Sequence, residues 1–384
     1  MTEILYRSPA LEVRRVAAGD GRRQVVTFDS YHQPPGVDRP GFGEAFFRTE
    51  GITAIHVMTH GNDWFQYSEI THVLREISEA CAAAERLLCY GSSMGGYAAL
   101  RFAGAVGAHA ALALSPQYSL DPRKVPFETR WAQERRRIRF LHQLDGAILP
   151  APSMILAYDS ALKADHCHAE LLANEADMVL LPLPHAGHPV GAFLNDIKLL
   201  RPLVLATLEG SFDPHRFLRA THARRTRSAH WLANLAERQP PWRSACGVAL
   251  ALRAVKLGPD HPSLHDAYAR RLAAAHRYAE AIEAHERAIE IEPIADYQWG
   301  LSKTLYEAGN MAGALDVAER LQRIAPSSAG YHAWAAKLRE EQGDLVGSLA
   351  DLRRALAADP ANRGYRVQLW RLRLARLWRA LFGR

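Results

Sequence analysis

Leu87-Leu88-Cys89-Tyr90-Gly91-Ser92-Ser93-Met94-Gly95-Gly96-Tyr97-Ala98-Ala99-Leu100 decides how the first half of this chain folds. The apolar run at 86–90 reads as a buried strand and the small-residue run at 96–106 as a helix. Between them Gly91, Ser93 and Gly95 form G-x-S-x-G. The turn is so tight that side chains two before and two after the serine would collide, so both positions call for glycine. Ser93 then stands at a helix N-terminus, where free N–H groups and the helix dipole favour negative charge.

A serine hydroxyl is a weak nucleophile until a base takes its proton and a carboxylate orients that base. Candidates for both follow in chain order. The last predicted strand, 178–183, runs into Pro184-His185-Ala186-Gly187-His188. His188 is the expected base, because Gly187 lets the loop turn back over the sheet; His185 is the alternative. The acid should follow the strand at 153–158, and both Asp159, at the strand's end, and Asp165, opening a helix at 166–173, are candidates. A developing oxyanion needs two N–H donors. The backbone of Met94 is one. The loop Thr59-His60-Gly61-Asn62-Asp63-Trp64 is expected to supply the other, from Asn62 or else Gly61. His60, Trp64 and Arg130 are the expected substrate contacts, although His60 also reads as a structural histidine. His166, Cys167 and His168 lack the spacing of a metal site, so neither metal nor cofactor is expected.

Around this motif, apolar runs at 11–16, 24–28, 52–58, 108–114 and 153–158 alternate with helical patterns at 69–84 and 190–208. Such alternation predicts an α/β domain over 1–210, with a mostly parallel, doubly wound sheet. Residues 118–148, rich in Arg, Pro and aromatics, are a candidate lid, and 211–245 reads as a junction. Beyond it Pro259, Pro293, Pro326 and Pro360 recur every 33 or 34 residues, with Ala281, Ala314 and Ser348 in phase. Gly309 and Gly343 fall at one turn, where the first repeat has His276. This period resembles the tetratricopeptide repeat and predicts an all-α solenoid over 246–362 that recruits a protein partner. Residues 363–384 read as a basic amphipathic helix that caps the solenoid or touches an anionic membrane.

Composition sets bounds. The 384 residues, 48% hydrophobic and 23% charged, suit two or three globular domains. The net charge of +6 gathers at Arg135, Arg136, Arg137 and Arg139, at 216–227 and in the last twenty residues. These clusters read as solvated faces or else as contacts for an acidic partner, such as an anionic glycan, a phosphorylated carrier or a membrane surface, while no nucleic-acid-binding signature is present. Four cysteines without a C-x-x-C pair suggest reduced thiols in a cytoplasm. The segment 1–7 lacks the apolar core of a signal peptide.

Residues 1–210 resemble the α/β-hydrolase superfamily, through the Ser93 elbow, the His60-Gly61 step and the order Ser93, Asp165, His188. The string Tyr90–Ala99, with Asn62-Asp63-Trp64 and Ser115-Pro116-Gln117-Tyr118-Ser119, is similar to a bacterial esterase-like group. That group includes a protein of the accessory secretion system proposed to act in glycan O-acetylation. The resemblance implies a serine esterase acting through an acyl-enzyme, with an acylated glycan as one substrate. The alternatives are an O-acyltransferase of the same fold and a repeat-based interaction protein with an inactive hydrolase domain.

Overall fold

Among the described residues eight strands form one sheet: β1 (Thr2–Arg7), β2 (Leu11–Val16), β3 (Arg23–Phe28), β4 (Thr53–Thr59), β5 (Arg86–Ser92), β6 (Ala110–Leu114), β7 (Ser153–Tyr158) and β8 (Val179–Pro182). Their order across the sheet is β1-β2-β4-β3-β5-β6-β7-β8. β2 runs antiparallel to both neighbours and every other pair is parallel. The computed structural model describes residues 2–32, 34–141, 144 and 148–382. The chain divides into two compact units, Met1–Trp231 and Leu232–Arg384.

Strand alternation builds the two layers of helix over the first unit. Leu87 and Cys89 of β5 join one core with Ile70, Val73 and Ile77 of α2 (Ile70–Ala80) and Met94, Leu100 and Phe102 of α3 (Met94–Val106). Tyr90 points to the opposite face, where its ring lies 6.1 Å from that of Phe47 in α1 (Glu44–Thr49). The central strands β3, β5 and β7 are buried past their first residue and β4 and β6 throughout, as strands covered on both faces must be.

Three local features depart from the sequence pattern. β1 was not expected: it is a partly exposed edge strand whose Glu3 and Arg7 obscure its alternation. The segment 190–208 is two helices, α6 (Gly191–Asp196) and α7 (Leu200–Glu209), because Lys198 adopts φ 59° between them. Helices α4 (Ala132–Arg137) and α5 (Lys163–Ala173) lie in segments flanking β7. Of the candidate lid, residues 142, 143 and 145–147 lie outside the described residues. The stretch at 211–245 carries α8 (Pro214–Arg224), started by an Asp213 cap and Pro214, and α9 (Ala229–Glu237).

The second unit is all-helical. After α10 (Ser244–Leu257) come three antiparallel pairs: α11 (Pro262–Ala274) with α12 (Tyr278–Ile291), α13 (Ala295–Glu307) with α14 (Met311–Ile324), and α15 (Ala329–Glu341) with α16 (Leu345–Ala358). The pairs begin 33 and 34 residues apart. Ala281, Ala314 and Ser348 are all fully buried where the helices of each pair approach, which explains their small size. The turn inside each pair needs a left-handed residue: Gly309 and Gly343 supply it at φ 80° and 85°, and His276 adopts 58° at the same place. The last helix, α17 (Arg363–Phe382), packs Leu369 and Leu372 on α16; Arg384 lies outside the described residues. Among the described residues no helix is long and apolar enough to cross a membrane.

Candidate active site

The segments that follow β6, β7 and β8 bring side chains to Ser93, which itself follows β5. It takes φ 52° and ψ −115° between β5 and α3, a conformation that L-residues adopt only when the surroundings enforce it. Neighbouring backbone does the enforcing. A Cβ on Gly91 would lie 2.1 Å from the Gly95 carbonyl oxygen, and a Cβ on Gly95 would lie 2.2 Å from the Phe28 carbonyl oxygen. Backbone atoms cannot swing away, so the two glycines are sterically obligatory.

A hydrogen-bonded chain leads away from this serine. Ser93 Oγ stands 3.0 Å from Nε2 of His188. Nδ1 of the same ring stands 2.8 Å from Oδ2 of Asp165. Asp165 lies in the first turn of α5 rather than at its cap, which is Leu162. The sequence left Asp159 and Asp165 open as acids, and the geometry separates them. Asp159, fully buried, accepts from the backbone N–H groups of Ala161, His185 and Gly187. It therefore shapes the loop that presents His188, while Asp165 meets the ring. His185 points elsewhere, its ring edge-on to Trp231 at 6.2 Å.

Asp165 is held from its other side by Arg130, whose Nη1 donates to Oδ1 at 2.7 Å. Arg130 also forks onto the fully buried Glu128, at 2.6 Å for the shortest contact. Glu128 receives a further bond from Nε2 of His168 at 3.0 Å. Nδ1 of His168 accepts the Tyr118 N–H, so the ring proton sits on Nε2. Burial opposes the charge on Glu128, but hydrogen bonds from His168 and Arg130 outweigh it and hold the carboxyl well below its ordinary value. Burial likewise keeps His168 below its ordinary value, against the pull of Glu128. Arg130, expected from sequence as a substrate contact, thus bridges two carboxylates.

Gln117 is a site residue that the sequence did not single out. It is fully buried, two residues past Ser115, where the chain leaves β6. Its Nε2 donates to Ser93 Oγ at 3.1 Å. The amide orientation follows from Trp64, whose indole N–H can only donate and does so to Gln117 Oε1 at 3.0 Å. Trp64 is therefore a support for Gln117 and not a substrate contact. The trace this leaves in sequence is one polar residue just after the strand beside β5.

The expected oxyanion loop needs correction. β4, which precedes it, is separated from β5 by β3. Asn62 is buried and uses its amide on the backbone of His32, accepting from its N–H at 3.2 Å and donating to its oxygen at 2.8 Å. His60 is exposed, its N–H bonded to the Ala10 carbonyl. Gly61 accepts from the Tyr67 hydroxyl through its carbonyl. The segment that borders the nucleophile instead is the one after β3: Ser30 and Tyr31 line the same cavity as Ser93 and His188. Met94, fully buried, opens α3, where backbone N–H groups have no intrahelical acceptor.

That cavity, about 360 Å³, is walled by Tyr31, Phe42, Tyr90, Leu114, Trp131 and Leu200. Trp131 stands edge-on to His188 at 5.5 Å and lies beneath the Arg130 guanidinium at 4.6 Å. The segment read as a lid thus contributes Glu128, Arg130 and Trp131 to the site. Among the described residues no three His, Cys, Asp or Glu side chains gather as metal ligands.

No protein-family model matches the chain, and no curated protein matches it. It is similar to several solved helical-repeat structures. A thermophilic TPR protein of Thermus thermophilus is 16% identical, over 48% of this chain and 100% of that one, with a TM-score of 0.36. YrrB, described as a TPR protein with an unusual peptide-binding site, is 14% identical over 47% of this chain and 90% of its own, with a TM-score of 0.35. MamA from Desulfovibrio magneticus RS-1 is 16% identical over 38% and 85%, with a TM-score of 0.34.

Proposed function

We propose that the first unit is an α/β-hydrolase whose Ser93 attacks carboxylic esters and carries the acyl group as a covalent intermediate. The observation that carries this reading is the chain Ser93–His188–Asp165, with contacts of 3.0 and 2.8 Å, built on a serine held at positive φ. The serine, acid and histidine arise after β5, β7 and β8, the chain order of that superfamily.

In this mechanism His188 Nε2 takes the hydroxyl proton as Oγ bonds to the ester carbonyl carbon. Asp165 accepts from Nδ1–H and stabilises the imidazolium. The tetrahedral oxyanion is met by the Met94 N–H and by a backbone N–H of the Ser30–Tyr31 segment. Collapse returns the carbonyl, breaks the bond to the alkoxy oxygen, and His188 protonates the departing alcohol. Water, deprotonated by His188, then releases the acid by the same steps. A sugar hydroxyl in place of that water gives O-acyl transfer, and an acylated glycan is the substrate that the sequence resemblance adds. The aromatic and aliphatic cavity wall supports a neutral acyl group over a charged one.

The test is labelling by a fluorophosphonate and hydrolysis of p-nitrophenyl esters of increasing acyl length. Wild type is expected to label and turn over, and Ser93→Ala to do neither; equal labelling of both would sink the assignment.

The helical unit has its own part in this reading: it docks a protein partner. Trp299, Tyr331 and Trp334, on α13 and α15, form a half-buried aromatic cluster with ring separations of 5.4 and 5.5 Å. Lys303 and Lys337 lie over these rings, which suits a segment carrying both apolar and acidic side chains. Binding of the partner by the 232–384 fragment, lost in Trp299→Ala, is the expected result. Rescue of the chain's cellular role by Ser93→Ala would instead favour a purely interacting protein.

A further inference from the structure

Helix α17 has two apolar faces: one packs on the repeats and the other is exposed. Leu369 and Leu372 are buried with Leu349 and Leu352 of α16 and Ala336 of α15. That contact alone caps the last helix pair. On the other side Val367, Trp370, Leu374, Leu377, Trp378 and Leu381 follow one another at helical spacing, each 45–76% exposed. Single exposed apolar residues are ordinary; a continuous stripe about 21 Å long is not. A cap that faced only water would be polar there.

Charge says what covers the stripe. The helix has no Asp or Glu anywhere in its sequence. At 100° per residue, Arg366 and Arg373 border the stripe on one side and Arg371 on the other. Arg371 is paired with Glu340 at 2.6 Å. A second copy of the helix would bring arginine rows together with no acid to offset them. A neutral apolar groove would offer no acidic partner to Arg366 and Arg373. An anionic lipid surface satisfies both: acyl chains take the Leu and Val side chains, the interface takes the Trp indoles, and headgroups take the arginines.

We propose that α17 seats this chain on anionic bilayers, lying in the interfacial plane. It lies there and does not span, since no helix among the described residues is long and apolar enough to cross.

Co-sedimentation of the full chain with phosphatidylcholine vesicles, with and without phosphatidylglycerol, tests this. Partitioning is expected to be about tenfold or more stronger with the anionic lipid, and to fall steeply as salt is raised. Two double variants complete the test: Trp370→Ser with Trp378→Ser, and Arg366→Glu with Arg373→Glu. All four side chains are exposed, so both proteins are expected to melt as wild type does. The first should lose vesicle binding and the second its preference for anionic lipid. Equal sedimentation of wild type with and without vesicles would overturn the proposal. So would unchanged binding by the indole variant. A wild-type dimer in light scattering that this variant makes monomeric, without vesicle binding, would show that the stripe joins two copies instead.

Discussion

Gln117 places an amide N–H on the nucleophile: its fully buried Nε2 lies 3.1 Å from Ser93 Oγ. With that bond accepted, the hydroxyl's remaining direction for donation is His188. The Gln117 amide therefore both orients the proton and favours negative charge at Oγ. Gln117→Ala should lower kcat about ten- to hundredfold on an activated ester, the scale of a hydrogen bond to a charged group. Trp64→Phe, which frees the amide oxygen, should have a smaller effect of the same kind. A kcat equal to wild type in Gln117→Ala would remove it from the chemistry.

Asp165 and Asp159 should separate by readout. Asp165→Asn leaves packing nearly unchanged but reverses the partner of His188 Nδ1, so kcat should fall by about four orders of magnitude. Asp159→Ala strips acceptors from three backbone N–H groups. Its main effect should be a lower melting temperature, with a smaller loss of turnover. Steady-state kinetics and thermal melts on both variants decide the matter, and a reversal of this pattern would exchange their roles.

Arg130 acts on the base through the acid. Its guanidinium shares the Asp165 carboxylate with the His188 ring, so it fixes the group that orients the base. Arg130→Met should loosen the Asp165 carboxylate and lower kcat about tenfold in steady-state kinetics. Arg130→Lys keeps a donor for Asp165 and should lose less; a kcat equal to wild type in the Met variant would remove Arg130 from the positioning of the base. The Met variant also leaves the buried Glu128 with His168 as its remaining side-chain partner, so a loss of about 3 kcal/mol in stability should accompany the lower kcat.

A pH-dependent stability is built into the sheet at His56. It is buried beside Thr27, with Oγ1 to Nδ1 at 2.6 Å, and burial pushes its imidazole down to about 4. The unfolded chain takes up a proton near pH 6.5, so this contribution is full above that pH and lost as pH falls from 6.5 towards 4. The loss reaches about 3 kcal/mol at the acid end. Urea unfolding between pH 7 and 4 should show a shallower pH slope for His56→Leu than for wild type. Parallel slopes would mean that His56 does not set this dependence.

The strand–turn–helix around Ser93 is written in the local sequence, because only glycine fits two positions before and two after the serine in so tight a turn. The helix pairs are written there too, since a 33–34 residue period needs small residues where neighbours stack. His188 was legible from the flexible Gly187 before it. The choice between Asp159 and Asp165 was not, since both follow β7 and only the fold of the whole 159–188 segment, with α5 and β8 inside it, decides which one meets a ring. Which loop borders the Ser93 cavity was illegible for a related reason. Chain order makes β4 and β5 successive, whereas the sheet inserts β3 between them, so the loop beside Ser93 follows β3. Gln117, Trp64 and Arg130 take their roles from contacts across 24, 53 and 35 residues of sequence. No local pattern encodes such distances; packing of the sheet and the segment after β6 creates them.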